Sequence, residues 1–130
     1  MPRYIDGFVV PVPKRKLAAY RRMARLGAKV WKEHGALEYV EAIADDVSWG
    51  KRTSFQRAVK MNRRSETVFF SYIVYKSRKD RDRIMKKVMA DPRLAEMMDL
   101  KKLPFDAKRM IVGGFKAMVE MKRGRGGKVR

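Results

Sequence analysis

Residues 67–75 read TVFFSYIVY, a stretch that contains no glycine, no proline and no charge. Side chains of a β-strand point alternately to the two faces of a sheet. Both faces of this stretch are apolar, because one carries Val68, Phe70, Tyr72 and Val74 and the other Phe69, Ile73 and Tyr75. The stretch therefore predicts a strand that is buried on both sides.

Two apolar faces on one sheet require two covering layers. Helices that return between the strands of an antiparallel sheet cover only one face. The simplest cover for the second face is the same face of another copy of the chain, since identical surfaces meet across a twofold axis. We therefore expect a homodimer or higher homo-oligomer that assembles through its sheets.

Strand and helix patterns alternate along the rest of the chain. Residues 14–34 carry apolar side chains at three- and four-residue spacing, which predicts an amphipathic helix that ends at Gly35. The cap signal of Ser77 and Asp80 predicts a second helix, with an inward face of Ile84, Met85, Val88 and Met89. Asp91-Pro92 begins a further short helix. The predicted strands cover residues 4–12, 37–44, 55–61, 67–75 and 109–119, and the turn 62–65 joins two of them in a hairpin.

The order of these elements is β-α-β-(β)-β-α-β, and it predicts one α+β domain over residues 1–121. Helices that return between strands favour a ferredoxin-like sandwich, in which two helices pack on one face of an antiparallel sheet. Residues 122–130 are basic and rich in glycine, and they predict a flexible tail. A length of 130 residues agrees with a single core.

Several kinds of site are excluded by residue type. The chain has no cysteine, so a disulfide, a thiolate metal site and a cysteine nucleophile are impossible. The single histidine, His34, lies at the predicted helix end and is interpreted as a helix C-terminal residue, so we expect no metal site and no cofactor. No segment approaches the roughly 18 apolar residues of a membrane span, and no signal peptide is recognised, so a cytoplasmic protein is expected.

The charge balance departs most from that of an ordinary domain. Lys and Arg number 33 against 14 Asp and Glu, a formal net charge of +19 that attracts polyanions such as RNA and DNA. No aromatic platform interleaves the charges, so binding without sequence preference is expected. A basic surface that is natural or engineered for solubility is the alternative. The candidate nucleic-acid-binding residues are Arg15, Arg22, Arg25, Lys29, Lys32, Arg63, Arg64, Lys122, Arg123, Arg125, Lys128 and Arg130.

Several stretches together carry a family resemblance. They are YIDGFVVPVP, HGALEYVE, ADDV, FSYIVYKSRKDRD, DPRL and PFDAKRMIVGGF. In order and spacing, over about residues 3–121, the chain resembles the YbaA-like family of small bacterial proteins of unknown function. The resemblance implies a dimeric α+β barrel, in which two ferredoxin-like sheets face each other. It also implies that Gly113 and Gly114 allow a bulge or a close approach across the barrel.

A small-ligand site at the mouth of such a barrel is a second interpretation. Asp6 lies within an apolar strand and needs a cationic partner, for which Arg109 and Lys108 are the candidates. A structural ion pair explains Asp6 equally well, and turn capping explains the two adjacent aspartates that follow the second strand. The candidate pocket residues are Tyr4, Asp6, Asp45, Asp46 and Arg109.

Three functions follow from these patterns. The first is a non-catalytic homo-oligomeric barrel whose basic surface binds polyanions. The second, by analogy of fold with dimeric α+β barrels, is a cofactor-independent enzyme or a small-ligand-binding protein. The third is a structural subunit of a designed assembly. The sequence leaves open whether the chain is an enzyme, and a pocket lined by convergent polar groups would favour the second function.

Overall fold

The computed structural model describes residues 1–99 and 101–123. The strands of its sheet are β1 (Tyr4–Pro13), β2 (Glu38–Ile43), β3 (Glu66–Tyr75) and β4 (Ile111–Lys116). The α-helices are α1 (Leu17–His34), α2 (Phe55–Ala58), α3 (Arg78–Ala90) and α4 (Pro92–Met97), and short 3-10 turns cover Lys14–Lys16 and Ala107–Arg109. The strand order is β2-β3-β1-β4, with every neighbouring pair antiparallel. The predicted ferredoxin-like α+β sandwich is confirmed.

Helix α1 follows its sequence pattern closely. Tyr20, Ala24, Gly27 and Val30, at three- and four-residue spacing, form its buried face. The helix ends where Gly35 adopts a left-handed conformation with φ of 115°, which glycine tolerates without strain. The predicted amphipathic helix and its end are both confirmed.

The two faces of β3 have different surroundings. Phe69, Ile73 and Tyr75 pack in the two hydrophobic clusters between the sheet and the helices. On the opposite side Phe70 is 49% exposed, and Phe115 of β4 is 63% exposed. The open face of the sheet, as we call this second side, is formed by Ile5, Val9, Phe70, Tyr72, Ile111 and Phe115.

The prediction of a strand over residues 55–61 is wrong, and with it the hairpin around residues 62–65. Ser54 accepts a hydrogen bond from the Arg57 backbone N–H and caps α2 instead. The Arg57 guanidinium donates to the carbonyls of Trp49 and Gly50, so this segment is tied into its own loop. The Asn62 side chain then turns the chain directly into β3.

The later elements agree with prediction in kind and differ in detail. Ser77 caps α3, and Ile84 and Val88 of the predicted inward face are fully buried, whereas Met89 is 62% exposed. The last strand is shorter than predicted at both ends, because residues before Ile111 form a turn and the strand ends at Lys116. Its register with β1 is continuous, so Gly114 makes no bulge.

Gly114 is the site of a close approach within the chain, whereas the approach expected across the barrel stays a prediction. A Cβ atom on Gly114 would lie 2.5 Å from Tyr4 Oη, so the absence of a side chain lets the tyrosine ring pack on β4. The guanidinium of Arg81 lies 4.8 Å from the centre of the same ring. Gly114 therefore supports the packing of β1 against α3.

Asp6 is the buried acid that joins the sheet to α3. It is 6% exposed, and Arg81 Nη1 donates to its Oδ1 over 2.6 Å. The predicted pairing of Asp6 with Arg109 is wrong. Arg109 pairs with Glu66, which lies seven residues along β3 from the register partner of Asp6. The sequence shows that an acid within an apolar strand needs a cationic partner, but it does not show which element provides that partner.

We predict that Arg81→Met lowers the free energy of unfolding by about 3 kcal/mol, because it leaves the Asp6 carboxylate buried without its cation. Adding Asp6→Asn to that variant should recover much of the loss. Urea unfolding measures both. The matched control is Arg83→Met, which removes an exposed pair on the same helix and should change stability by under about 0.5 kcal/mol. Additive effects of the two substitutions at residues 6 and 81 would contradict the pairing.

Candidate ligand-binding cavity

The structure does not bring the five predicted pocket residues together. Tyr4 and Asp6 lie near Arg81 at one end of the sheet. Arg109 lies at the other end, beside Glu66. Asp45 and Asp46 are exposed in a bend that follows β2. A shared ligand site at a barrel mouth is therefore not formed by these side chains within one chain.

Arg109 acts as a clamp on the segment that precedes β4. Its two Nη atoms donate to the Glu66 carboxylate over 2.8 and 2.7 Å, and its Nε donates to Asp106 over 2.9 Å. The hydrogen bonds from Arg109 hold the pKa of the Glu66 carboxyl below its usual value. These bonds fix the segment between Phe105 and Met110 against the sheet, where both residues pack beside Tyr20 and Val10 in one apolar cluster.

A cavity of about 430 Å³ lies between the sheet and the layer formed by α1, α3, α4 and the segment before β4. Its volume is within the range of small-molecule sites. The wall is mostly aromatic rings and methionine side chains, and no lysine or arginine of the described residues lines it. Representative wall residues are Phe8, Trp31, Met85, Leu94, Met97 and Phe105.

One polar group stands in this apolar wall. Glu41 of β2 accepts hydrogen bonds at Oε1 from Tyr20 Oη over 2.8 Å and from Ser71 Oγ over 2.6 Å. Its Oε2 accepts from Tyr39 Oη over 3.0 Å. We call Glu41, Tyr20, Tyr39 and Ser71 the Glu41 cluster. All four residues line the cavity, so the cluster is the polar end of an otherwise apolar chamber.

The tyrosines of the Glu41 cluster are held in their neutral, donating form. Burial raises the pKa of Tyr20 far above its usual value, and the negative charge of Glu41 raises it further. The pKa of Tyr39 is raised by the same two causes in the same order. Because both phenols keep their protons, the carboxylate is stabilised entirely by hydroxyl donors.

Gly27 makes room for this arrangement under α1. A Cβ atom at this position would lie 2.6 Å from Tyr39 Oη and 3.2 Å from the terminal methyl of Met97. Real Cβ atoms do not approach an oxygen that closely, so only glycine lets the Tyr39 hydroxyl reach Glu41 beneath the helix. The glycine therefore belongs to the site although it contacts nothing through a side chain.

A second, more open groove meets the cavity at the Glu41 cluster. It has a volume of about 320 Å³ and runs between α1 and the edge strand β2. Tyr20, Tyr39 and Glu41 line both spaces, and Arg21 and Arg25 line the groove alone. Neither arginine forms an ion pair with Glu41. The cluster thus separates an apolar chamber from a groove with a basic rim.

The candidate nucleic-acid-binding residues are distributed over several surfaces. Arg15 in the turn before α1 is exposed, and so are Arg22, Arg25, Lys29 and Lys32 of α1 and, elsewhere, Arg64, Lys122 and Arg123. The Arg63 guanidinium lies 4.5 Å from the centre of the Trp49 ring, so it takes part in the packing of the loop before β3. The candidates Arg125, Lys128 and Arg130, and most of the predicted tail, lie outside the described residues.

Two further features of the described residues concern site chemistry. No helix among them has the length and apolarity needed to cross a membrane. No three of their histidine, aspartate or glutamate side chains are grouped as metal ligands would be. His34, at the end of α1 as predicted, lies 2.9 Å from Asp91 Oδ2, which ties α1 to the start of α4.

The Glu41 cluster was missed from the sequence, although two signals pointed to it. Ser71 is the single polar residue within the apolar run of β3. Tyr39 and Glu41 are two residues apart on a strand, so they share a face, and that face lies under α1. What the sequence lacks is the pairing that places Ser71 opposite Glu41.

The fold and the cavity define a ferredoxin-like α+β protein with a chamber between its sheet and its helices. The chain belongs to the family described as "Protein of unknown function (DUF1428)", which it matches over residues 3–107. It is 48% identical over 118 residues to "Uncharacterized protein YbaA" of Escherichia coli (strain K12), a match that covers 91% of this chain and 98% of the relative. The YbaA-like resemblance is confirmed.

Solved structures agree with this fold. Two proteins from an uncultured marine organism, each described as a dimeric ferredoxin-like protein, align with TM-scores of 0.57 and 0.56 at 12% and 10% identity. The first alignment covers 95% of this chain and 100% of the other, and the second covers 92% and 99%. At such low identity the likeness concerns the fold alone.

We predict that Gly27→Ala destabilises the protein by about 1–3 kcal/mol, because the new methyl group displaces the Tyr39 hydroxyl. The sign is diagnostic, since the same change in an unobstructed helix stabilises by about 1 kcal/mol. Chemical unfolding monitored by circular dichroism gives the value. Tyr39→Phe removes the obstructing oxygen, so the double variant should be more stable than Gly27→Ala alone. A stabilised Gly27→Ala would show that the close approach does not exist.

Proposed function

We propose that the protein binds a small, largely apolar organic molecule in the cavity between its sheet and helices, and that it does so as a homodimer. The observation that carries the proposal is the Glu41 cluster, a carboxylate with three hydroxyl donors at the end of an apolar chamber. Apolar walls with a few convergent polar groups are the usual composition of a ligand site.

The size of the chamber supports binding in preference to a packing defect. Protein interiors contain few voids larger than a water molecule, because each void forfeits contacts. The chamber, of about 430 Å³, is instead partly open, since Met89 and Met98 in its wall are 62% and 43% exposed, so a molecule can enter it from solvent. Its methionine-rich wall adapts to the shape of an occupant at low strain.

An enzymatic form of the proposal places Glu41 as a general base. Its carboxylate lies in the chamber wall, where it is within reach of a proton on a bound molecule. Tyr20 and Ser71 would then stabilise the charged carboxylate through their hydrogen bonds. These hydrogen bonds would weaken as Glu41 accepts the proton. This form shares the binding site with the non-catalytic form and needs the same occupant.

The homodimer is proposed from the open face of the sheet. The helices cover one side of the sheet. On the other side Phe70 and Phe115 remain exposed together with Phe55, whose ring lies 5.7 Å from that of Phe70. Exposed apolar patches of this kind mark interfaces. A second copy is the occupant we propose, because the two similar marine proteins are described as dimeric with this fold.

Polyanion binding by the basic surface stays a prediction from the sequence, as do an engineered origin of the charge and a role as an assembly subunit. The exposed basic face of α1 is compatible with phosphate contacts. Arg63 packs on Trp49 and is exposed at the same time.

We predict that the neutral apolar fluorophore N-phenyl-naphthylamine binds the protein, and that Met97→Trp weakens its binding by tenfold or about 1.4 kcal/mol, because the indole fills the chamber. Fluorescence titration measures the affinity. Met118→Trp is the matched control, since it makes the same change at a side chain that is 96% exposed and should leave binding unaltered. Equal weakening by both substitutions, or a wild-type protein that does not bind the dye, would contradict the proposal.

We predict that Phe70→Lys shifts the dimer toward monomer, because it buries a charge in the sheet-to-sheet interface. Multi-angle light scattering across a dilution series reports the mass, with the monomer at 15.2 kDa. Leu37→Lys introduces the same charge at an exposed leucine in the turn before β2 and should leave the dimer intact. A wild-type protein that is folded and monomeric throughout the series would exclude the homodimer.

A further inference from the structure

We infer that the polar end of the ligand is a protonated amine and that Glu41 recognises it. The inference rests on the proposed binding of a small apolar molecule and adds its chemical class. It starts from a contrast between Glu41 and the other acids inside the protein, which differ in the kind of partner that they have.

The other buried acids are each neutralised by an arginine. Asp6 pairs with Arg81, and Glu66 pairs with Arg109. Asp91, whose side chain is 9% exposed, pairs with Arg93. In a chain with 33 lysines and arginines a basic partner is easily found, so these pairings show the ordinary way in which this protein accommodates an internal carboxylate.

Glu41 departs from that arrangement. It is partly buried and has three hydrogen-bond donors, all neutral hydroxyls, and among residues 1–99 and 101–123 it forms no ion pair. Hydroxyl donors stabilise a carboxylate but leave its charge uncompensated. A cation brought by the ligand would supply the compensation that an arginine supplies elsewhere.

The geometry leaves a place for that cation. A carboxylate offers about four acceptor positions on its two oxygens. Oε1 of Glu41 accepts two hydrogen bonds, whereas Oε2 accepts one, from Tyr39. The remaining acceptor position is on Oε2, and Glu41 and Tyr39 line the chamber as well as the outer groove. An ammonium N–H can complete the set without displacing an existing donor.

The chamber wall suits an organic cation. The rings of Trp31 and Tyr39 lie 5.9 Å apart, and Phe8 and Phe105 line the same space. Aromatic faces attract ammonium groups, and the attraction grows when water is excluded. The apolar remainder of the wall suits a hydrocarbon body. The combination therefore fits a primary or secondary amine on an aromatic or aliphatic skeleton.

An anionic ligand is the main competitor, because the net charge of +19 attracts anions. Arg21 and Arg25 would receive such a ligand in the outer groove, where Glu41 also lies. Inside the chamber, however, an anion would face the Glu41 carboxylate at low dielectric with no basic side chain in the described wall. The chamber thus selects against the ligands that the surface attracts.

Three probes that differ only in their polar end test the inference: phenethylamine, phenethyl alcohol and hydrocinnamate. Each competes with N-phenyl-naphthylamine near neutral pH in roughly 0.15 M salt, which screens the surface field. We expect the amine to displace the dye at a concentration about tenfold lower than the alcohol does, since both donate a hydrogen bond to the carboxylate but only the ammonium also brings a positive charge. Hydrocinnamate should be the weakest competitor.

Substitution of Glu41 tests whether this residue causes the preference for the amine over the alcohol. Glu41→Gln keeps the size of the side chain and should abolish the advantage of the amine over the alcohol. Glu41→Asp keeps the charge and should retain part of it, so a folding defect in one variant does not remove the test. Glu38→Gln is the matched control on the same strand, because Glu38 is exposed and lies on the opposite face, and it should retain the full preference.

The outcomes separate this inference from the proposed function. If amine and alcohol displace the dye equally well, the chamber binds small molecules and the inference about the amine is wrong. The inference is also overturned if hydrocinnamate is the strongest competitor, and loss of its binding in Arg21→Gln would assign it to the groove. If the dye itself does not bind, the proposed function fails and the inference fails with it.

Discussion

The pairing of β1 with β3 is the constraint on which the rest of the structure depends. Ten residues of each strand are matched in one continuous antiparallel register. The register places Asp6 opposite Ile73, where α3 provides its arginine, and places Glu66 at the far end, where Arg109 meets it. A slip of β1 by one residue against β3 would turn Asp6 to the face of the sheet opposite α3 and remove it from its arginine.

The same ladder locates the chamber. Ser71 faces the helix layer from the middle of β3, where β2 brings Glu41 beside it. Helix α1 then closes over the pair, with Gly27 leaving room for the Tyr39 hydroxyl. The Arg109 clamp holds the segment before β4 on the other side. Strand pairing therefore brings Glu41 and Ser71 together. The elements that cover them are positioned by Gly27 and by the more distant ion pair of Arg109 with Glu66.

The fold was predictable because its signals are local. Apolar spacing gave α1 and its end at Gly35, and Ser77 gave the start of α3. Residues 55–61 were mistaken for a strand because a four-residue helix has too few turns to show its period, and its stability comes from the Ser54 cap. The Glu41 cluster could not be predicted in the same way. Its members lie on three elements, and only strand register and helix placement bring them together.

The distribution of positive charge connects the surface to the chamber. The arginines that pair with Asp6, Glu66 and Asp91 are structural, and each joins two elements of the fold, Arg93 through its second partner Glu33 of α1. Exclusion of basic side chains from the described chamber wall keeps Glu41 as a negative centre inside a strongly positive molecule. The hydrogen-bond donors of this centre are all hydroxyls, and on the chamber side no basic side chain of the described wall opposes its charge, whereas water and salt screen it on the groove side. The basic surface and the acidic chamber can therefore act on different molecules, and the charge of the whole chain does not predict the charge of what the chamber binds.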